Sequence, residues 1–333
     1  MAARSSAHKL EISVAFAPSL ETPLHIELAE KLGFTRAWCF DGPAIWADVW
    51  MTLSRAADRT KRIGLGTAVF VPSYRHMMTT AAAIATLEGQ APGRVVAGIG
   101  VGHGHRMLGG GATSWKDTVK YLTALKGLLK GEDVEWDGKT TRMLQNPGFT
   151  AGRPMNVPFV VAAQGPKGLE IARQHADGVI AAVAPHAGFA WSSVLIMGTV
   201  LPDDGKIDNA RLMDAAGPGA AVAYHTAYDL NWHKGQGFAQ IPNAEIWAAE
   251  LEKTPVEKRH LVAWAQHLVG LTAEDKIALS PELVKMITFT GTSAELSGRL
   301  GDLQSKGATE VIYQPTGSDI PGELKRFAAM AGL

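Results

Sequence analysis

The chain has 333 residues, 46% of them hydrophobic and 19% charged, so it is long enough to bury a large core. Its 32 Lys and Arg residues balance 32 Asp and Glu residues, a composition without the basic excess of nucleic-acid-binding proteins. The single cysteine excludes an intramolecular disulfide and a cysteine-based zinc site. The first residues lack the apolar segment of a signal peptide, so we expect a cytoplasmic protein. We also expect that it binds neither nucleic acid nor membrane.

Strand-like and helix-like segments alternate along the chain. Apolar segments of strand length lie at residues 11–18, 36–41, 63–70, 94–100, 158–163, 179–183, 194–200 and 310–314. Helical segments separate them, at 23–32, 47–60, 79–87, 114–130, 165–178 and 293–306, and a last helix follows at 319–329. This pattern predicts an α/β fold, a TIM (β/α)8 barrel over residues 1–333 as one domain. An irregular, mainly helical insertion is expected at about 202–290, before the last strand.

One long segment without charged residues, 178–202, has the length of a membrane span. Pro185, His186 and Gly188 interrupt it near the middle. Parallel strands are apolar on both faces, so two buried strands joined by a turn explain this segment better.

A doubly wound open sheet is the alternative fold. It predicts a Gly-x-Gly-x-x-Gly turn directly after the first strand. The first strand ends in Phe16-Ala17-Pro18-Ser19, without glycine, and the GIGVGHG segment follows the fourth strand instead. The position of the glycines therefore favours the barrel.

Two unusual loops follow the third and fourth strands. Their sequences are FVPSYRH and GVGHGHRMLGG. In parallel sheets and barrels, ligands bind beyond the carboxyl ends of the strands. The sequence therefore predicts a binding site near residues 68–75 and 100–108.

Four segments of the chain carry a family resemblance: LGTAVFVPSYR, LEGQAPGRVVAGIGVG, AAQGPKGLEIARQHADGV and GTSAELSGRLGDLQSKGATEVIY. In these segments the chain resembles the luciferase-like flavin and deazaflavin oxidoreductases. It is most similar to the branch that uses coenzyme F420, which includes methylenetetrahydromethanopterin reductase and a deazaflavin-dependent glucose-6-phosphate dehydrogenase. The resemblance implies a TIM barrel, a homodimer formed through the helices near 47–60 and 76–90, and a tricyclic ring at the C-terminal mouth.

The resemblance also implies which residues bind the coenzyme. They follow the second to fifth strands: Asp41, Ala68, Val69, Val71, Gly100, Val101, Gly102, Arg106, Ala163, Gln164, Gly165, Lys167 and Gly168. A non-prolyl cis peptide bond is implied between Ala68 and Val69, under the middle ring. Glycines let a backbone approach a ring closely, and the helix N-terminus at GPKG suits a phosphate of the coenzyme tail. Read without the resemblance, Asp41 equally suits a turn cap, and the glycines a plain turn.

Candidate catalytic residues lie on the same loops. His103 and His105, beside Arg106, form a titratable cluster, and a histidine can transfer the proton that accompanies a hydride. A metal site at these histidines lacks a third ligand, so none is expected. Trp46 is the third candidate because it lies in a loop outside the periodic elements.

Other aromatic and histidine residues have weaker signals. Five further residues are candidates for an aromatic and sulfur-lined pocket, although residues of these types belong to the core more often than to a pocket. They are Trp38, Phe70, Tyr74, Met107 and Trp115. Histidines at 175, 225, 233, 260 and 267 show no motif, so the sequence assigns them no chemistry.

Departures from the glucose-6-phosphate dehydrogenase branch narrow the function. That branch has histidine where this chain has Gly42, glutamate where it has His103, and a sugar-phosphate lysine where it has Pro185. We therefore expect an F420-dependent oxidoreductase that transfers a hydride between the deazaflavin C5 and a small, largely apolar substrate, as a reductase of an imine, enone or ketone. An FMN-dependent monooxygenase is the main alternative, and a cofactor-free ligand-binding relative is a third.

Overall fold

The strands of the computed structural model, which describes residues 9–102, 113–231 and 241–333, form a closed barrel and two small sheets. The strands are, in chain order, β1 (Glu11–Phe16), β2 (Arg36–Cys39), β3 (Gly64–Thr67), β4 (Val95–Ile99), β5 (Val134–Trp136), β6 (Lys139–Thr141), β7 (Phe159–Ala162), β8 (Gly178–Ala181), β9 (Ser192–Met197), β10 (Val200–Leu201), β11 (Gly291–Thr292) and β12 (Glu310–Gln314). The barrel order is β1-β12-β9-β8-β7-β4-β3-β2, and every pairing within it is parallel. The predicted TIM barrel is confirmed, and the open doubly wound sheet is excluded.

Helices connect most of the barrel strands, and a further group of helices forms an insertion between β10 and β11. They are α1 (Thr22–Leu32), α2 (Val49–Arg59), α3 (Met77–Gln90), α4 (Trp115–Lys130), α5 (Pro166–His175), α6 (Asn209–Asn231), α7 (Ala244–Leu251), α8 (Arg259–Trp264), α9 (Ala273–Ala278), α10 (Pro281–Ile287), α11 (Ser293–Ser305) and α12 (Ile320–Ala331). None of these described helices combines the length and apolar character that crossing a bilayer needs. The uncharged segment 178–202 forms β8, β9 and β10, so the prediction of buried strands there is confirmed.

Short polar residues and glycines fix where the outer elements begin and end. Ser114 accepts the backbone N–H of Asp117 at the start of α4, and Gly131 ends that helix in the left-handed conformation, at φ +85°. The hairpin of β5 and β6 turns at Asp137 and Gly138, both with positive φ, as an Asp-Gly pair predicts.

The amino end of the barrel is closed by a buried carboxylate. Glu310 accepts hydrogen bonds from Arg36 (2.7 Å), Trp191 (2.7 Å), Ser193 (2.5 Å) and Trp38 (3.2 Å). Trp38 therefore points to the end of the barrel opposite the mouth, so it belongs to the core, as is more common for such a residue, and not to a mouth pocket. Because this end is filled by packed and bonded side chains, the other end is where a ligand can enter.

The chain between β10 and β11 forms α6 to α10 around an apolar cluster of its own, which includes Trp247. Gly219 of α6 lies directly on β9, because a Cβ there would stand 2.8 Å from the Met197 Cβ. Pro218 lies inside α6, between two glycines, and these residues hide the helix in the sequence. The helical insertion thus covers the β9 side of the mouth.

Candidate active site

Four adjacent strands bring most of the predicted coenzyme residues to one arc of the mouth. β2, β3, β4 and β7 are neighbours in the barrel, so their carboxyl ends lie side by side. Val69 and Ala162 both lie against Gly100: a Cβ built there would stand 2.6 Å from the Val69 Cγ2 and 3.5 Å from the Ala162 Cβ. The loops after β3, β4 and β7 therefore meet, as the positions of the motifs predict.

Glycine is required at two positions of this arc. At Gly102, φ is +77° and a Cβ would lie 2.8 Å from Val71. At Gly100, a Cβ would overlap Val69, which is half-buried. Because both positions lack a side chain, Val69 and Val71 can pack directly against the backbone of Gly100 and Gly102. The predicted cis peptide bond between Ala68 and Val69 is present.

Asp41 forms an ion pair with Arg75. One terminal N–H group of the Arg75 guanidinium donates a hydrogen bond to Asp41 Oδ2. The other donates to Asp48 Oδ2 at 2.7 Å. Asp48 in turn caps α2 by accepting the backbone N–H of Trp50 at 2.9 Å. The structure thus links the loop after β2 to the loop after β3 through charge, and the Asp41 carboxylate also interacts with the backbone of Val71 in the second loop.

Burial sets the electrostatics of this pair. Only 1% of the Asp41 side chain is exposed, and this burial raises its pKa although Arg75 acts to lower it. Burial also acts on Asp48, but the N–H of Met51 and the Arg75 guanidinium bring the pKa of Asp48 below its usual value. Tyr74 lies close enough for burial and the Asp41 charge to raise its pKa to about 12. The charged form of Asp41 therefore depends on Arg75.

Trp46 lies at the centre of the described mouth. Its ring covers the backbone of Gly42, where a Cβ would stand 2.6 Å from Trp46 Cε3. The ring centroid is 5.7 Å from that of Phe40 and 6.0 Å from that of His267, which belongs to the insertion. Trp46 therefore joins the barrel rim to the insertion.

The N-terminus of α5 presents an exposed face beside this arc. Gln164, Gly165 and Lys167 are exposed, and Gly165 caps the helix without a side-chain hydrogen bond. Gly168, which the resemblance also assigns to coenzyme binding, differs from these three residues. It is buried, and a Cβ there would stand 2.6 Å from Trp115 Cζ2, so its lack of a side chain serves packing against α4.

Other predicted residues are placed elsewhere. His103, His105, Arg106 and Met107 lie outside the described residues. Phe70 packs between Trp50 and Tyr121 in the outer core, with ring centroids 6.1 and 6.2 Å away, and does not line the mouth. Val101 is half-buried next to Gly102, and Ala163 is buried with its carbonyl 3.3 Å from His186 Nε2. The described part of the chain holds no cluster of three metal-binding side chains.

Gln314 was not singled out by the sequence, although it ends β12 and pairs in register with Met197. Alternate residues of β12 point inward, since Ile312 belongs to the cluster inside the barrel and Glu310 bonds to Trp38. Gln314 is fully buried, and neither its amide oxygen nor its nitrogen has a hydrogen-bond partner among the described residues. An unpaired buried amide costs about 1–3 kcal/mol, which makes it a candidate ligand contact.

A cavity of about 720 Å³ lies apart from this arc. It runs between α6 and α11 and is lined by residues such as Val183, Phe289 and Arg299. Met197 and Leu195 border both this cavity and the barrel interior, so the two spaces are neighbours.

Comparison with known proteins agrees with this architecture. A family model described as luciferase-like monooxygenase matches residues 19–195. The 5,10-methylenetetrahydromethanopterin reductase of Archaeoglobus fulgidus is 26% identical over 97% of this chain and 98% of that protein. The F420-dependent glucose-6-phosphate dehydrogenase of Intrasporangium calvum is 31% identical over 92% of this chain and 91% of that protein.

A solved structure shows the same fold. The coenzyme F420 dependent tetrahydromethanopterin reductase from Methanopyrus kandleri superposes with a TM-score of 0.67 at 17% identity, over 96% of this chain and 97% of that one. The family match spans more than half of the chain and covers β2, β3, β4 and β7. The chain therefore belongs to the luciferase-like monooxygenase family, and the protein is an oxidoreductase of that family.

Proposed function

We propose that this protein is an F420-dependent oxidoreductase that acts on a small, largely apolar organic substrate. In the reducing direction the substrate is an imine, an enone or a ketone. When bound, the coenzyme supplies C5 as the atom that gives or accepts the hydride. The relatives from Archaeoglobus fulgidus and Intrasporangium calvum, named for F420-linked or tetrahydromethanopterin chemistry, support this choice over FMN.

The observation that carries the proposal is the glycine cradle at the carboxyl ends of β3 and β4. Gly100 and Gly102 let Val69 and Val71 pack directly on the backbone that follows β4, where any Cβ would overlap those side chains. A flat tricyclic ring needs such a surface, because side chains would hold it away from the strand ends. Ala68, Val69 and Ala162 belong to the apolar cluster inside the barrel, so they supply the apolar floor.

The N-terminus of α5 is the proposed site for the coenzyme's phosphate. It follows β7 directly, next to the strand that borders Gly100. Backbone N–H groups of a first helical turn favour an anion, and the exposed Lys167 adds a positive charge. Gln164 and Gly165 complete this surface, whereas we assign Gly168 to packing.

The side chains around the ring position would orient the substrate and exclude water. Phe40, Trp46 and Leu268 form an apolar wall, and Gln314 offers one hydrogen-bond donor and one acceptor within it. An apolar wall with one amide suits a small neutral molecule better than a sugar phosphate. The Asp41–Arg75 pair fixes the loop after β3 relative to the loop after β2.

The experiment is a titration of the purified protein with F420 and, separately, with FMN. We expect micromolar or tighter binding of F420 and no saturable binding of FMN. A Gly100→Ala variant should lose F420 affinity, whereas Gly152→Ala, with open space around its Cβ position, should not. FMN binding in place of F420 would instead support a monooxygenase, and binding of neither would support a cofactor-free relative.

We also propose that the protein forms a homodimer through α2 and α3, as the family resemblance implies. Met51 on α2 is 71% exposed, so it is available for such an interface. We expect light scattering to give twice the chain mass of 35.4 kDa, and Met51→Asp to reduce it toward the monomer value.

A further inference from the structure

A row of three buried ionisable side chains crosses the helical insertion. Asp275 begins the row on α9, His225 of α6 is in the middle, and His267 lies between α8 and α9. The Asp275 Oδ1 is 3.1 Å from His225 Nε2, and His225 Nδ1 is 2.8 Å from His267 Nδ1. All three residues are buried, so we call them the histidine row.

The hydrogen-bond partners of Asp275 determine the direction of its bond with His225. Asp275 Oδ1 also accepts the Trp247 Nε1–H at 2.8 Å, and its Oδ2 accepts the Thr272 N–H at 2.9 Å. Burial acts to raise the pKa of Asp275, but His225 and these donors bring it below its usual value, so the group is a carboxylate. A carboxylate only accepts, and His225 Nε2 must therefore donate to it.

This assignment propagates along the row. A neutral imidazole has one donor and one acceptor nitrogen, so His225 Nδ1 accepts when its Nε2 donates. His267 Nδ1 is then the donor in the bond between the two histidines. The Nε2 of a neutral His267 consequently holds the lone pair, on the edge of the ring away from His225.

His267 ends the row where the insertion meets the barrel. Its ring centroid is 6.0 Å from Trp46, and 4.1 Å from Trp264 of α8. The next residue, Leu268, belongs to the same apolar cluster as Phe40 and Trp46. Leu268 has φ +66°, a left-handed conformation that bulky residues rarely adopt and that concentrates at functional sites.

We propose that the histidine row orients His267 and that His267 is a catalytic acid and base for the substrate's oxygen or nitrogen atom. The proposal rests on the proposed F420-dependent function and narrows its substrate to an alcohol and carbonyl pair, or an amine and imine pair. In the oxidising direction the substrate O–H or N–H bond breaks and its proton moves to His267 Nε2. The C–H bond breaks with its electron pair, which leaves as hydride to the oxidised coenzyme, and a C=O or C=N bond forms.

The other members of the row would act through His267 as positioning residues. Protonation of His267 creates an imidazolium whose Nδ1–H still donates to His225, and the Asp275 carboxylate offsets the charge through His225. Three tryptophans pack against the two histidines and exclude water from the row. They are Trp46 from the loop after β2, Trp247 from α7 and Trp264 from α8.

The first test needs no substrate or coenzyme. Nitrogen NMR of the 15N-histidine-labelled apoprotein, assigned with His225→Gln and His267→Gln, reports the tautomer of each ring. We expect Nε2–H for His225 and Nδ1–H for His267, and a mixture of tautomers at His267 in Asp275→Asn. The opposite tautomers in the wild type would overturn the proposal, because His267 Nε2 would then carry a proton and could not accept one from the substrate.

The second test is turnover with oxidised F420 and a panel of small secondary alcohols and amines. We expect His267→Gln to lose about 100-fold in kcat with F420 affinity unchanged, and added imidazole to restore activity to His267→Ala. His25→Gln, a half-buried histidine on α1, is the matched control and should match the wild type. An unchanged kcat in His267→Gln would overturn the assignment of His267 as the catalytic acid and base, and so would a wild type that turns over no member of the panel. A wild type that binds no F420 would instead overturn the proposed function and leave the tautomer result standing.

Discussion

Arg75 is paired with Asp41 at the mouth of the barrel, although the two residues are 34 positions apart in the chain. One follows β2 and the other follows β3, so their ion pair holds together the two loops that border the proposed ring site. The pair is nearly buried, with 1% of the Asp41 side chain and 15% of the Arg75 side chain exposed. An ion pair in such a place stabilises the loops only while both partners are present.

Replacing Arg75 with methionine should destabilise the fold in a pH-dependent way. The variant leaves a buried carboxylate without its cation, at a cost of about 3 kcal/mol near neutral pH. Burial already raises the pKa of Asp41, and loss of Arg75 raises it further. The folded state then retains a proton that the unfolded state releases, so the free energy of unfolding should fall as pH rises. Urea unfolding at about pH 5 and about pH 8 measures this slope.

Arg142→Met is the matched control for that experiment. Arg142 pairs with Asp133 on the surface, where the two side chains are 52% and 55% exposed. We expect a change below about 0.5 kcal/mol, without added pH dependence. Equal losses in both variants would show that the Asp41 pair is an ordinary surface contact.

Glu310→Gln tests the buried carboxylate at the amino end. Burial acts to raise the pKa of Glu310, but Arg36 and the hydroxyl and indole donors lower it overall. The wild-type carboxylate therefore contributes stability above about pH 4.3, and this contribution is lost as pH falls toward the lowered pKa. The variant should cost about 3 kcal/mol near neutral pH and should weaken this acid dependence.

The unfolding free energy of Glu310→Gln should be compared with that of Glu257→Gln, an exposed site. F420 affinity of the folded Glu310→Gln protein should equal that of the wild type, because Glu310 lies at the opposite end from the mouth. Loss of F420 affinity without loss of stability would contradict this placement.

Gln314→Met should separate stability from function. The amide has no partner among the described residues, so removing it should leave the unbound protein equally stable or slightly more stable. If the amide contacts the substrate, kcat/KM should fall by about tenfold or more. Differential scanning calorimetry and steady-state kinetics measure the two effects, and Gln174→Met on the exposed side of α5 is the control. A destabilised variant with wild-type kinetics would assign Gln314 to the core.

Gly100→Ala should impair coenzyme binding as well as folding. The added methyl carbon would stand 2.6 Å from the Val69 side chain, which must move toward the proposed ring position. We expect about 1–3 kcal/mol of destabilisation from overpacking and at least a tenfold weaker Kd for F420. Gly152→Ala provides the control in open space, and an unchanged Kd in Gly100→Ala would remove the cradle from the coenzyme site.

The sequence predicts the barrel well because its signals are local. Strands buried on both faces are apolar runs, and capping residues such as Ser114 and Gly131 mark where helices begin and end. Helix α6 was missed because Pro218 and its glycine neighbours are poor helix formers, and tertiary packing on β9 overrides that propensity.

The site was only partly predictable because some of its contacts are not local. The His225–His267 and His225–Asp275 contacts join residues 42 and 50 positions apart, on three parts of the insertion that show no motif. Gly168 looks like a phosphate-binding glycine in its local sequence, but its neighbour Trp115 belongs to another helix. The alternation along β12 is the one sequence signal that points Gln314 into the barrel.

A crystal structure of the protein with F420 tests the central claim most directly. We predict the deazaflavin ring against Ala68, Val69 and Gly100, with the phosphate of its tail at the N-terminus of α5 near Lys167. A coenzyme bound in the cavity between α6 and α11, or one whose ring touches neither β3 nor β4, would contradict the account.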